Sequence, residues 1–361
     1  MGLTALQRQG EGLKAIRGEY HGATTGARFA DLQAELAALR DACGVYDLGF
    51  RAKFSLSGED RVRWLNGMVT NNIRDLAPGH GLYAFLLNPQ GHILGDLYAY
   101  NRGESIAVDT DRNQAERILA TFDHYIIMDD VEVKDVSDDI TALGVAGPEA
   151  REVLAAAGFM IPEMQVLQIQ PVSWKGMDCS LVCGERGNYE IWIASSGARQ
   201  LWDALLASGA GPVGFEALEQ ERVEAGIPAY GVDIRERDLP QETEQARALN
   251  FNKGCYVGQE IVERIRSRGS VHRKFTGLLV DGTVPPGSKI SANGKDVGEI
   301  TSIAACPTAE NKTVALGYIR REMGIPGREV MIGTTRALVA QLPLREPTLQ
   351  KNETSLQQRP A

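Results

Sequence analysis

Between Asn252 and Gly269 the chain reads NKGCYVGQEIVERIRSRG. One cysteine, Cys255, stands between Gly254 and Tyr256, two residues after Lys253. Val257, Ile261, Val262 and Ile265 share a helical face. Gln259 and Glu260 occupy the first turn of that helix, where an acidic side chain suits the dipole. Cys255 thus stands just before a helix N-terminus with a lysine nearby. Both features favour a thiolate and make it the leading candidate for a reactive thiol. Gly254 and Gly258 let the backbone turn sharply beside it. A strand-to-helix elbow whose cysteine is merely small accounts for the same letters.

A second candidate is Asp96 in ILGDLYAY, a carboxylate inside an apolar strand with Leu94 and Tyr98 on its face. A buried aspartate without a partner is costly, so a ligand or a protein donor must meet it. Other chemistry finds little support. The five histidines, His21, His80, His92, His124 and His272, are dispersed without HxH or HxxxH, which argues against a histidine metal site. No G-x-S-x-G elbow occurs. Cys43, Cys179, Cys183, Cys255 and Cys306 form no CxxC and no ligand set for a stable cluster. Cys179 and Cys183 read as small buried hydrophobes on one strand face.

These residues must be held by a chain of 361 residues, long enough for two or three structural units. It is 43% hydrophobic and 24% charged, the balance of an ordinary globular protein. A net charge of −9 argues against a general nucleic-acid binder, although RIRSRGSVHRK (Arg264 to Lys274) is locally basic. That segment could hold an anionic tail, touch RNA or form a solvated helix face. The N-terminal residues lack the apolar stretch of a signal peptide, and no run approaches the roughly 18 apolar residues of a membrane span. A cytoplasmic monomer with reduced thiols is expected.

Phe29 to Gly44 reads as an amphipathic helix with a glycine stop. RAKFSLSG is a strand, and GEDRVRWLNGMVTNNI a second helix. GLYAFLLNPQGHILGDLYAYN is a hairpin around Asn88-Pro89-Gln90-Gly91. Strands and helices then alternate in a similar order twice, which suggests two related α+β halves. From about Lys274 short alternating segments punctuated by Gly, Pro and Asn predict a small antiparallel barrel or sandwich. The expected divisions are an N-terminal extension 1–28, an α+β region 29–270, a β-barrel domain 271–345 and a disordered tail 346–361.

KGCYVGQE, from Lys253 to Glu260, resembles the signature of the YgfZ family, folate-binding proteins related to the T-protein (aminomethyltransferase) of the glycine cleavage system. EAGIPAYGVDIRERDLPQE, the hairpin GLYAFLLNPQGHILGDLYAY and VGEITSIA extend the likeness over about residues 30 to 340. The resemblance implies a three-lobed α+β fold around a central tetrahydrofolate pocket, with a C-terminal antiparallel barrel. It implies that Asp96 faces the reactive nitrogens of the folate and that Tyr83 and Glu190 line the pterin site. A carboxylate can accept two parallel N–H bonds from the amino-pyrimidinone edge. An ordinary core aromatic and an exposed strand position are the plain alternatives for Tyr83 and Glu190. The pocket arginine of the transferases corresponds here to Leu218, with Arg222 one helical turn away as the nearest cation. The implied role is auxiliary to iron–sulfur enzymes, including tRNA-thiolating ones, with Cys255 as a thiol on the pocket rim. One-carbon transfer by Asp96 and a non-enzymatic scaffold are the competing functions.

Overall fold

The computed structural model describes residues 2–10, 13–269, 271–305 and 312–344. The tail expected at 346–361, and Cys306, lie outside the described residues. Two sheets form the α+β region. In the first, five strands run in the order Gly81–Leu87, Ile93–Asn101, Ile106–Asp111, Arg51–Ser57, Glu132–Asp135. The helices Arg61–Met68 and Arg112–Tyr125 cover one face, burying Trp64, Leu65, Ile118 and Phe122 against Phe54, Leu86 and Val108. In the second, six strands run Ile169–Trp174, Met177–Cys183, Tyr189–Ala194, Ile140–Ala146, Gly44–Asp47, Gly211–Val213. The helices Ala150–Ala156 and Ala198–Ala207 cover it through Leu154, Leu201 and Trp202. Each sheet thus carries a helix pair on one face, as the repeated strand and helix order predicts.

The opposite faces meet. Tyr100 of the first sheet packs edge-on against Trp192 of the second with centroids 5.4 Å apart, inside a shared cluster with Phe50, Ala142 and Ile169. Near the N-terminus Ile16–Tyr20, Ala23–Arg28 and Gly2–Leu3 form a three-stranded sheet. Thr25 donates to Asp47 at 2.8 Å, and the hairpin tip at Tyr20 and His21 reaches the inter-sheet space. The C-terminal segments close into a six-stranded barrel from Arg273–Val280 to Thr335–Ala340, filled by Leu278, Ile290, Ile300, Ile319 and Val339. The sequence left barrel and sandwich open, and the barrel is what forms.

The KGCYVGQE turn is built by three contacts. The Lys253 ammonium is buried and donates to the carbonyls of Asn66 and Val69, at the C-terminal end of the helix Arg61–Met68. It lies 4.8 Å from the centre of the Tyr256 ring. Gly258 adopts φ +81°, and a Cβ there would stand 2.6 Å from the Asn88 carbonyl oxygen at the tip of the hairpin. Tyr256 is buried in a cluster with Tyr83, Phe85, Leu87 and Val262. Lys253 is therefore a helix cap that satisfies two orphan carbonyls. Its ammonium is thus engaged inside the protein by two backbone carbonyls, whereas Cys255 is exposed. Burial and then the Arg74 charge lower its pKa to about 7. Lys253→Ala leaves both carbonyls without this donor and is expected to cost about 3 kcal/mol in urea denaturation. A loss below about 0.5 kcal/mol would refute the capping role.

Candidate functional site

A cavity of about 250 Å³ opens between the inner faces of the two sheets. Tyr83, Asp96, Glu190 and Arg222 all line it, joined by His21, Arg51, Tyr98, Asp111, Glu185 and Arg247. Four residues predicted from three distant stretches of sequence thus share one chamber.

The hairpin places Tyr83 and Asp96. Its register sets Tyr83 opposite Tyr98 and Phe85 opposite Asp96, so all four share one face. The Tyr83 hydroxyl donates to Asp96 Oδ2 at 2.6 Å. Gln114, on the helix Arg112–Tyr125, donates from its amide to Asp96 Oδ1 at 2.8 Å and accepts from the Asp96 backbone N–H at 2.9 Å. The carboxyl is thereby aimed and held. Burial, reinforced by the Asp111 charge, raises its pKa above the ordinary carboxylate range, and the Tyr83 and Gln114 donors oppose that rise.

The raised value has a sign for stability. The folded state holds a proton on Asp96 that the unfolded chain has already released, so stability falls as pH rises from about 4 toward the folded pKa. Asp96→Asn removes this group's share. In urea melts across that range the wild type is expected to lose stability relative to the variant. Parallel curves would contradict the raised pKa.

Glu190 lies on the strand Tyr189–Ala194, opposite Gly144. A Cβ at Gly144 would collide with the Tyr46 ring, 2.0 Å from its nearest atom, so glycine there makes room beside the carboxylate. Tyr189 and Ile191 turn into the core, and Glu190 faces the cavity, half-buried. Its Oε2 accepts from the Trp192 indole N–H at 3.1 Å. Burial, followed by the Asp109 charge, raises its pKa, partly offset by Lys53.

Arg222 reaches the cavity wall, yet its donors serve the protein. It bonds Glu219 at 2.5 Å, the Ile227 carbonyl and Asp233 at 2.6 Å, and Ser302 of the barrel at 2.9 Å. It acts as a clamp between the helix Phe215–Glu224 and the barrel while also lining the cavity. Leu218 packs beside the inter-sheet cluster.

Sequence reasoning missed the cavity floor. Arg51 donates to Asp109 at 2.6 Å and Asp111 at 2.7 Å, Lys53 donates to Asp109 at 2.5 Å, and His21 Nδ1 lies 3.0 Å from Asp111. Burial alone would raise Asp111, but Arg51 and His21 hold it well below the usual range. Burial would likewise lower His21, and Asp111 outweighs it and raises the imidazole.

Cys255 is exposed, while Cys43, Cys179 and Cys183 are buried. Burial pushes the Cys43 thiol up to about 12 and that of Cys179 to about 11, as for inert core cysteines. None of residues 253–260 lines the cavity. Tyr256 nevertheless joins the turn to the cavity residue Tyr83 through their shared cluster. Glu260 pairs with Arg264 at 2.6 Å, and Arg266 with Glu263 at 3.3 Å, on the solvent face of the helix Gln259–Arg268. Of the readings open for the basic segment, these pairs fit the solvated helix face.

Residues 12–253 match the GCVT N-terminal domain family, and residues 273–347 match the glycine cleavage T-protein C-terminal barrel domain. The chain belongs to the glycine cleavage T-protein family. An aminomethyltransferase of Nostoc is 28% identical over 352 residues, covering 91% of this chain and 90% of its own. One of Thermosynechococcus vestitus is 29% identical over 312 residues, covering 84% of each. The crystal structure of glycine cleavage system aminomethyltransferase T from Bartonella henselae superposes with a TM-score of 0.87 at 23% identity, covering 96% of this chain and 98% of that one. The T-protein fold, two sheets around a central chamber with a terminal barrel, is thus shared. Among the described residues no helix is long and apolar enough to cross a membrane.

Proposed function

We propose that this T-protein family member binds tetrahydrofolate in the central cavity and serves as an auxiliary factor for the maturation or repair of iron–sulfur enzymes, including tRNA-modifying ones. The observation that carries the auxiliary role is the KGCYVGQE turn. It anchors Lys253, Tyr256 and Gly258 in the protein and leaves Cys255 exposed. Anchored neighbours around an exposed thiol suit a group that meets a partner. The cytoplasmic monomer expected from sequence belongs with this reading.

The folate half rests on the donor set. Glu190 and Asp96 are two half-buried carboxyls in one chamber, each with protein donors on part of its acceptor capacity. An amino-pyrimidinone ring offers adjacent N–H donors that match what Glu190 has left. Folate, when bound, supplies nitrogens able to accept or carry a one-carbon unit. Calorimetric titration of tetrahydrofolate into the full chain is expected to give one site per chain. No heat and no protection of the reduced pterin from oxidation would overturn this half.

A second reading, folate-dependent aminomethyl or methyl transfer, is favoured by the convergence of Asp96, Tyr83 and Glu190 and by relatives named aminomethyltransferases. Against full transfer stand Leu218, at the place of the transferase arginine, and the saturation of Arg222 by Asp233, Glu219 and Ser302. Turnover of tetrahydrofolate with a lipoyl-aminomethyl donor would decide for transfer.

A further inference from the structure

Four arginines line the cavity, and Arg186 pairs with Glu221 at 3.4 Å, an acid whose side chain is 13% exposed. Arg51 and Arg222 sit low, with side chains 17% and 13% exposed, and each holds a carboxylate at least nine-tenths buried, Asp109 and Asp233. Separating such a pair would leave a buried charge uncompensated, so neither arginine is free to serve a ligand. Arg247 differs. Its side chain is 32% exposed, and its acid partner is Glu185, 24% exposed, on the turn between the strands Met177–Cys183 and Tyr189–Ala194. Both residues also line the cavity, so the pair stands where the chamber meets solvent. An ion pair so placed contributes little net stability, because water solvates both partners when it opens.

The guanidinium is already positioned for a ligand. It lies over the Tyr83 ring, 4.2 Å from its centre, and Tyr83 is the residue whose hydroxyl holds Asp96. A guanidinium stacked on an aromatic face keeps its edge donors available for a planar, two-pronged acceptor. Tyr98 tethers the arrangement, donating to Glu185 at 2.9 Å and accepting from Arg247 at 3.4 Å. Glu185 therefore occupies the acceptor position at the cavity mouth, on a solvent-facing turn, while the deeper carboxyls Asp96 and Glu190 take donor groups.

We propose that Arg247 is a specificity residue that reads an anionic arm on the ligand, whose carboxylate displaces Glu185 from the guanidinium. The inference rests on the folate reading and narrows it: the preferred ligand is a reduced pterin with a carboxylate-bearing arm. Glu185 is the internal competitor that the arm replaces.

The test is titration of the full chain with tetrahydrofolate and with its uncharged glutamate diamide. Wild type is expected to prefer the charged form by about tenfold or more. Arg247→Ala should reduce that preference to near unity. Glu185→Gln, which removes the competitor and keeps the shape, should tighten tetrahydrofolate by about threefold or more without doing so for the diamide. A preference that survives Arg247→Ala would overturn the proposal. So would equal weakening of both ligands by Glu185→Gln, the signature of a purely structural latch. If neither compound binds wild type, the folate reading fails and takes this inference with it. If both bind equally well, only the inference fails.

Discussion

Exchanging Glu190 for glutamine will weaken tetrahydrofolate binding by about a hundredfold while leaving the chain folded. Charge-assisted hydrogen bonds contribute about 1.5–3 kcal/mol each, and every 1.4 kcal/mol is a factor of ten. Glutamine keeps one acceptor, but turns the other oxygen into a donor that opposes the ligand's N–H. The framework is spared, since the bond from Trp192 can pass to the amide oxygen and Gly144 still leaves room for Tyr46. Because Glu190 is pushed up by burial, binding that needs its carboxylate should tighten as pH rises through that raised value, and the glutamine variant should lose this dependence. Calorimetry at several pH values measures both. A loss below about threefold would remove Glu190 from the ligand site.

Cys255→Ala will abolish the auxiliary function completely and barely alter stability. The side chain is exposed and the turn is held by its neighbours, Lys253 on the helix end and Tyr256 in the hairpin cluster. Loss of an exposed sulfur with no packing role costs within about 0.5 kcal/mol. The variant should also keep its tetrahydrofolate affinity, because no residue of the motif lines the cavity. An unchanged melt, unchanged folate binding and lost function in one variant separate thiol chemistry from structure. A variant that retains the function would leave Cys255 as a small residue on a tight turn.

Much of this arrangement was legible in the letters, for identifiable reasons. The hairpin follows from turn residues between alternating runs, and its period of two puts Asp96 and Tyr98 on one face. The same rule could have found Tyr98 as a cavity residue. It could also have found the floor. Arg51 and Lys53 alternate on one strand, Asp109 and Asp111 on another, and the register sets Arg51 opposite Asp111 and Lys53 opposite Asp109. Cross-strand charges of opposite sign at spacing two are a readable signal once the strands are paired.

Other features were not legible. Lys253 is two residues from Cys255 in sequence, and only the fold shows its ammonium capping the distant helix Arg61–Met68. Arg222 seemed the nearest pocket cation, whereas Asp233 and Ser302, contributed from a loop and the barrel, claim its donors. Arg247 and Glu185 meet from segments 62 residues apart with no periodicity to announce them. His21 reaches the cavity on a hairpin tip at φ 45°, a conformation that the neighbouring glycine only hints at.

The most direct test places wild type, Glu190→Gln and Cys255→Ala in a bacterium lacking its own YgfZ-type protein and measures a cluster-dependent tRNA-thiolating enzyme. Wild type is expected to restore that activity, and both variants to fail although both fold and Cys255→Ala still binds tetrahydrofolate. If wild type binds folate in vitro yet restores nothing, the auxiliary role is contradicted and the cavity is that of a one-carbon transferase or a scaffold.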